Sequence, residues 1–130
     1  MKKLKNTKPL FKVKVGTVEE FFSDAKSMMR LADKGKPIAP ERTLTFEDPL
    51  EMLHFLSKTK IELINSIRNH PDSITNIAKM AKRTRSAVYR DIHEMEKFGL
   101  VKMHDEVNPG HGRYKIVELI ANSLKLEAYI

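Results

Sequence analysis

Apolar and polar residues alternate in Phe11-Lys12-Val13-Lys14-Val15, the period of a strand with one buried and one wet face. Gly16 ends that run. Thr17-Val18-Glu19-Glu20 then reads as a capping box, with Thr17 accepting from the Glu20 amide, and predicts a helix running to Gly35. Phe21, Met28, Leu31 and Ala32 lie near one face of it. Lys36-Pro37-Ile38-Ala39-Pro40 is a loop, because its prolines forbid regular structure. A second alternating segment, Thr43-Leu44-Thr45-Phe46, can pair with the first to give a β-α-β arm.

Asp48-Pro49-Leu50-Glu51 combines an N-cap aspartate, proline at the first helical position and an acid in the first turn. Leu50, Leu53 and Leu56 follow at helical spacing. A further capping box, Thr59-Lys60-Ile61-Glu62, opens a helix whose Leu63, Ile64 and Ile67 face inward and which Pro71 stops. Ser73 is a good N-cap, and Ile74, Ile77, Ala78 and Ala81 give the stripe of a short buried helix. Thr84 caps the next, where Val88, Ile92 and Met95 form the inward face, Phe98 lies close to it, and Gly99 is placed to end the helix in a left-handed conformation. Two short helices with a three-residue turn make a helix-turn-helix at about residues 73 to 99.

That apolar face leaves Arg85, Ser86, Tyr89, Arg90 and His93 pointing outward. An arginine can grip guanine O6 and N7, or a phosphate, with two bonds, while hydroxyls and the open N–H groups of a first turn suit phosphate oxygens. Each residue alone is ordinary surface; together, on one helix and with no acid between Lys79 and Arg90, they favour DNA. The candidate contacts are Ser73 and Thr75, then Lys82, Arg83 and Thr84 in the turn, then the five outward residues of the second helix.

The stretch Ser73 to Val101 resembles the MarR-like winged-helix core, in which an alanine in the first helix, a valine ten residues on and a Gly-Leu-Val ending recur. Ala78, Val88 and Gly99-Leu100-Val101 match them. More narrowly, Arg83, Asp91, Lys60-Ile61-Glu62-Leu63-Ile64 and Phe46-Glu47-Asp48 resemble a family of predicted prokaryotic transcription regulators, some described as antitoxins. The chain departs from the common pattern at Lys82, where glycine is usual, and at Arg83, where many such domains have an apolar residue. Either the turn is looser than usual, or Lys82 adopts the left-handed conformation at a cost of order 1 kcal/mol.

Leu100-Val101-Lys102-Met103 and Tyr114-Lys115-Ile116-Val117 read as the two strands of a hairpin, with Asn108-Pro109-Gly110-His111-Gly112-Arg113 as turn chemistry between them. The resemblance makes this hairpin a wing over residues 104–113, lying on a minor groove or phosphate backbone, with His111, Arg113 and Lys115 as contacts. Asp105 and Glu106 would oppose phosphate there. Leu124 to Ile130 alternates strictly and predicts a strand with Leu124, Leu126, Ala128 and Ile130 buried. Its open edge can add to the N-terminal strands or to a second subunit.

Composition narrows the classes further. The chain has 130 residues, no cysteine, and a net charge of +7 that is focused in the acid-free segments 1–16 and 79–90. No signal peptide, spanning segment, disulfide framework or cysteine-ligated metal is expected, and a cytoplasmic location is. No nucleophile–base pair, metal constellation or phosphate loop is recognisable, so neither enzyme activity nor a cofactor is expected; His104 and His111 read as surface residues. The six lysines from Lys2 to Lys14 form a solvated arm that adds nonspecific affinity for polyanions.

The expected architecture is α+β, a winged helix-turn-helix at 48–121 with a basic tail and β-α-β arm at 1–47 and a C-terminal strand at 122–130. The expected function is sequence-specific regulation of transcription, reading the major groove with the helix at 85–98, as a homodimer. The alternative is an antitoxin that binds a toxin protein and regulates its own operon.

Overall fold

The computed structural model describes residues 10–35, 41–110 and 112–129, so the lysines before Leu10, the Lys36–Pro40 loop and His111 lie outside the described residues. In chain order the elements are β1 (Leu10–Val15), α1 (Val18–Asp33), β2 (Glu41–Phe46), α2 (Pro49–Phe55), α3 (Lys58–Asn69), α4 (Ile74–Ala81), α5 (Arg85–Lys97), β3 (Val101–Asn108), β4 (Gly112–Leu119) and β5 (Leu124–Glu127). Among the described residues no helix is long and apolar enough to cross a membrane. The chain divides into two compact units, Met1–Phe55 with Ala121–Ile130, and Leu56–Ile120. The sequence places a division near residue 47 instead. Helix α2 goes with the first unit because its buried Phe55 meets Phe46 of β2, ring centroids 5.6 Å apart.

In the first unit β1 pairs in parallel with both β2 and β5, giving the order β2-β1-β5. Alternation works as expected for the central strand, where Phe11 and Val13 are buried. The capping box forms, Thr17 accepting from the Glu20 amide at 3.1 Å. The apolar face of α1 behaves differently: among its described residues none is buried, and Phe21, Met28 and Leu31 are exposed. Alternation fails at the last strand as well: Leu126 of β5 and Ala128 beyond its end are exposed, and Ile130 lies outside the described residues. An edge strand of a three-stranded sheet has one neighbour only, so its side chains lack the flanking cover that buries those of β1.

Helix α2 also turns another side inward. Met52 and Phe55 are buried, whereas Leu50 and Leu53 are exposed. Residues three apart are 300° apart on a helix, so the Leu50-Leu53 spacing fits more than one face over two turns, and the contact with Phe46 selects the one carrying Phe55.

The second unit has its core in Leu63 and Ile67 of α3, Ile77 of α4, Val88, Ile92 and Met95 of α5, and Val101 and Val117 of the hairpin. Helix α3 is capped by Ser57, not by Thr59: the Ser57 hydroxyl accepts from the Lys60 amide, and Thr59 falls in the first turn. That start buries Lys60, whose ammonium pairs with the Glu94 carboxylate of α5.

Helices α4 and α5 are capped as the sequence predicts, Ser73 accepting from the Asn76 amide and Thr84 from the Ala87 amide. Both end in a left-handed residue with a bond closing back over the last turn, Arg83 N–H to Ala78 O at one end and Leu100 N–H to Met95 O at the other. In α5 that residue is Gly99; in α4 it is Lys82, at φ 57° and ψ 42°. The turn is tight, and lysine carries the strain. Lys82→Gly is therefore expected to stabilise the unit by about 0.5–1 kcal/mol, the relief of Cβ strain exceeding the extra entropy glycine loses on folding. Urea denaturation checks this; a loss of stability would mean that the lysine side chain holds the turn.

Candidate nucleic-acid interface

Local capping sets the start of α4 and so the first wall of the site. The Asp72 carboxylate accepts from the Ser73 N–H at 2.7 Å and from the side-chain Nδ2 of Asn76 at 3.0 Å. Partial burial pushes the Asp72 carboxyl up, but these donated bonds and nearby His70 together bring it below its ordinary value. Its backbone oxygen meanwhile accepts from Val117 N–H at 2.8 Å, joining the start of α4 to the returning strand of the hairpin.

The three-residue turn 82–84 then sets α5 across α4. Val88, Ile92 and Met95 take the buried side, which fixes the opposite side as solvent-facing: Arg85, Ser86, Tyr89, Arg90 and His93 are all exposed. Arg85 is held in place by Nε, which donates to the Thr75 hydroxyl at 3.1 Å. A guanidinium bonded through Nε keeps its two Nη groups as a donor fork. Tyr89 and His93 stack with rings 5.8 Å apart and nearly parallel at 7°.

Strands β3 and β4 run antiparallel from Val101↔Leu119 to Asn108↔Gly112. Pairing extends further than the sequence suggests, so that Asn108, Gly112 and Arg113 are strand residues, while Lys115 lies in the returning strand as expected. The opposing acid is partly neutralised: Asp105 sits across the ladder from Lys115, its oxygen 3.3 Å from the ammonium. His104 lies between two acids, 3.1 Å from Glu106 and 3.2 Å from Glu118.

Between α5 and the hairpin lies a groove of about 670 Å³. It gathers seven of the residues singled out in the sequence: Ser73 and Thr75 from the start of α4, Arg85, Tyr89 and His93 from α5, and Arg113 and Lys115 from β4. Tyr114, Met103, Ile74 and Glu96 also line it and were not foreseen. Tyr114 stands in the expected returning strand between the candidates Arg113 and Lys115, but nothing local marks Glu96. Lys82, Thr84, Ser86 and Arg90 are exposed outside the groove lining, and His111 lies outside the described residues.

Arg83 has an internal partner that the sequence did not reveal. Its Nη1 lies 2.9 Å from Asp91 Oδ2, both side chains being largely buried, although the two groups lack the alignment of a hydrogen bond. The pair ties the turn to α5 and takes up a cation counted among the candidate contacts. Sequence reading noted both residues but could not see that they meet.

Helix, three-residue turn, exposed second helix and a hairpin tied back to the start of the first helix together define a winged helix-turn-helix domain. The chain belongs to the family described as HVO_A0114, whose model matches residues 55–122.

Solved structures with a similar fold include a possible transcriptional regulator from Methanosarcina mazei, 20% identical over 48% of this chain and 55% of that one, TM-score 0.41. ZitR of Lactococcus lactis in complex with DNA is 14% identical over 80% of this chain and 65% of its own, TM-score 0.44. A MarR-like transcriptional regulator from Thermotoga maritima is 16% identical over 78% and 65%, TM-score 0.42. MarR-like regulators are thus among the proteins this chain is similar to, and it spans about 55–65% of the length of these three. No curated protein matches it.

Proposed function

We propose that the chain binds double-stranded DNA through its winged helix-turn-helix and regulates transcription, with α5 in the major groove and β4 of the wing against the backbone or minor groove. The observation that carries this reading is the groove itself. It sets cationic Arg85, Arg113 and Lys115 and the hydroxyls of Ser73, Thr75, Tyr89 and Tyr114 around one concavity, where Glu96 is the one acid among the described lining residues. Phosphate neutralisation needs the cations, register on the backbone needs the hydroxyls, and base reading needs an arginine fork on the exposed helix.

Arg85→Ala and Arg90→Ala are each expected to weaken binding to a footprinted site upstream of the chain's own gene. The loss is about 1–3 kcal/mol, or roughly 5- to 150-fold, where the arginine grips a base bidentately, and smaller where it meets phosphate. Thermal unfolding of both variants should match the wild type, since both side chains are exposed. Undiminished affinity in both would remove α5 as the reading helix.

A further inference from the structure

Arg85 is the first residue of α5 and is tied across the turn to the second residue of α4, its Nε donating to the Thr75 hydroxyl at 3.1 Å. Folding gains little from an arginine there. The start of a helix is positive through its open N–H groups, the first turn of α5 holds no acid, and both residues are exposed. The acceptor is also neutral. Arg83, two residues earlier, faces the Asp91 carboxylate, and its charge is taken up inside the molecule, whereas a hydroxyl orients Arg85 and leaves its charge whole. Glu96, the acid among the described lining residues of the groove, stands eleven residues further along α5, about 16 Å away along the axis.

Resting on the reading of this face as a DNA interface, we propose that Thr75 is a positioning residue that presets Arg85 to read a guanine in the major groove. One base pair of the bound site is then specified by two residues from two helices. With Nε engaged, a side-on approach is closed and both Nη groups remain as an end-on fork, an arrangement that meets guanine O6 and N7 together. The first residues of the second helix are those that reach base edges in a helix-turn-helix. A free arginine gives up many rotamers to make such a contact. A tethered one has fewer to lose, a saving worth about 2- to 10-fold in affinity for the matched base. The Thr75 hydroxyl keeps its own proton, so it can donate to a phosphate oxygen while it holds the arginine.

Competition binding of the full chain, at one salt concentration, to a footprinted site and to copies of it with each base pair replaced in turn tests this. The wild type should prefer G·C at the pair Arg85 reads by about 5- to 150-fold. Arg85→Ala should abolish that preference and keep the others. Thr75→Val should reduce the same preference about 2- to 10-fold with thermal unfolding unchanged, and Thr75→Ser should restore it. A full preference at that pair in Thr75→Val overturns the proposal, even if affinity falls equally on every copy, because the threonine then serves phosphate alone. Equal weakening of every copy by Arg85→Ala also overturns it, since the arginine then meets phosphate, and leaves the DNA-binding reading standing. Undiminished binding by both Arg85→Ala and Arg90→Ala removes the interface itself, and the proposal with it.

Discussion

Ile92→Ala is expected to destabilise the Leu56–Ile120 unit by about 2–5 kcal/mol, the cost of deleting buried methyl groups and leaving a cavity that the surroundings only partly fill. Ile92 has no exposed surface and sits on the inward face of α5 between Val88 and Met95, which are equally enclosed. A unit of this size has a total stability on the order of 3–10 kcal/mol, so the loss removes much of it. Urea denaturation should show a lower midpoint with an unchanged slope. Binding to DNA should fall on every sequence alike, because the helix that presents Arg85 is no longer held. That pattern differs from Arg85→Ala, which should spare the fold and alter one contact. A stability change below about 1 kcal/mol would mean that the side of α5 packed into the core has been assigned wrongly.

Asp91→Ala should cost about 2–4 kcal/mol. Removing one partner of a buried pair typically costs 3–5 kcal/mol, and roughly a quarter of the Arg83 side chain remains open to water, which lowers the figure. The penalty arises because the Arg83 guanidinium stays in the turn without the carboxylate that faces it. Arg83→Met with Asp91→Leu should recover most of the stability, since two apolar groups need no pairing. The same variants separate structure from recognition. If Arg83 serves the turn, then Arg83→Met with Asp91→Leu leaves the salt dependence of DNA binding unchanged; if it contacts phosphate, the slope falls by about one unit.

Much of the second unit was legible from the chain because its instructions are local. Ser73 and Thr84 bond to amides three residues on, and Gly99 supplies a left-handed conformation where one is needed. The stripe through Val88, Ile92 and Met95 repeats at the helical period, so its opposite face could be named as outward before any partner was known. The candidate contacts on α5 follow from that face alone. The first unit was harder to read. An apolar stripe announces that α1 wants a partner but not where the partner is, and alternation in Leu124–Ile130 holds equally for a central strand and for an edge.

Sequence by itself determined the order of elements, the caps of α1, α4 and α5 and the inward faces of α3, α4 and α5, since these depend on bonds and periods spanning a few residues. Tertiary structure alone decided that Arg83 meets Asp91, that Lys60 is buried against Glu94, and that β1 lies between β2 and β5. It also brought Arg113 of the wing to the same groove as Arg85 of the helix. Those pairings join residues distant in the chain, and their energies depend on how whole elements pack. A charge read in isolation can serve a nucleic acid or an internal partner, and only the packed chain distinguishes them.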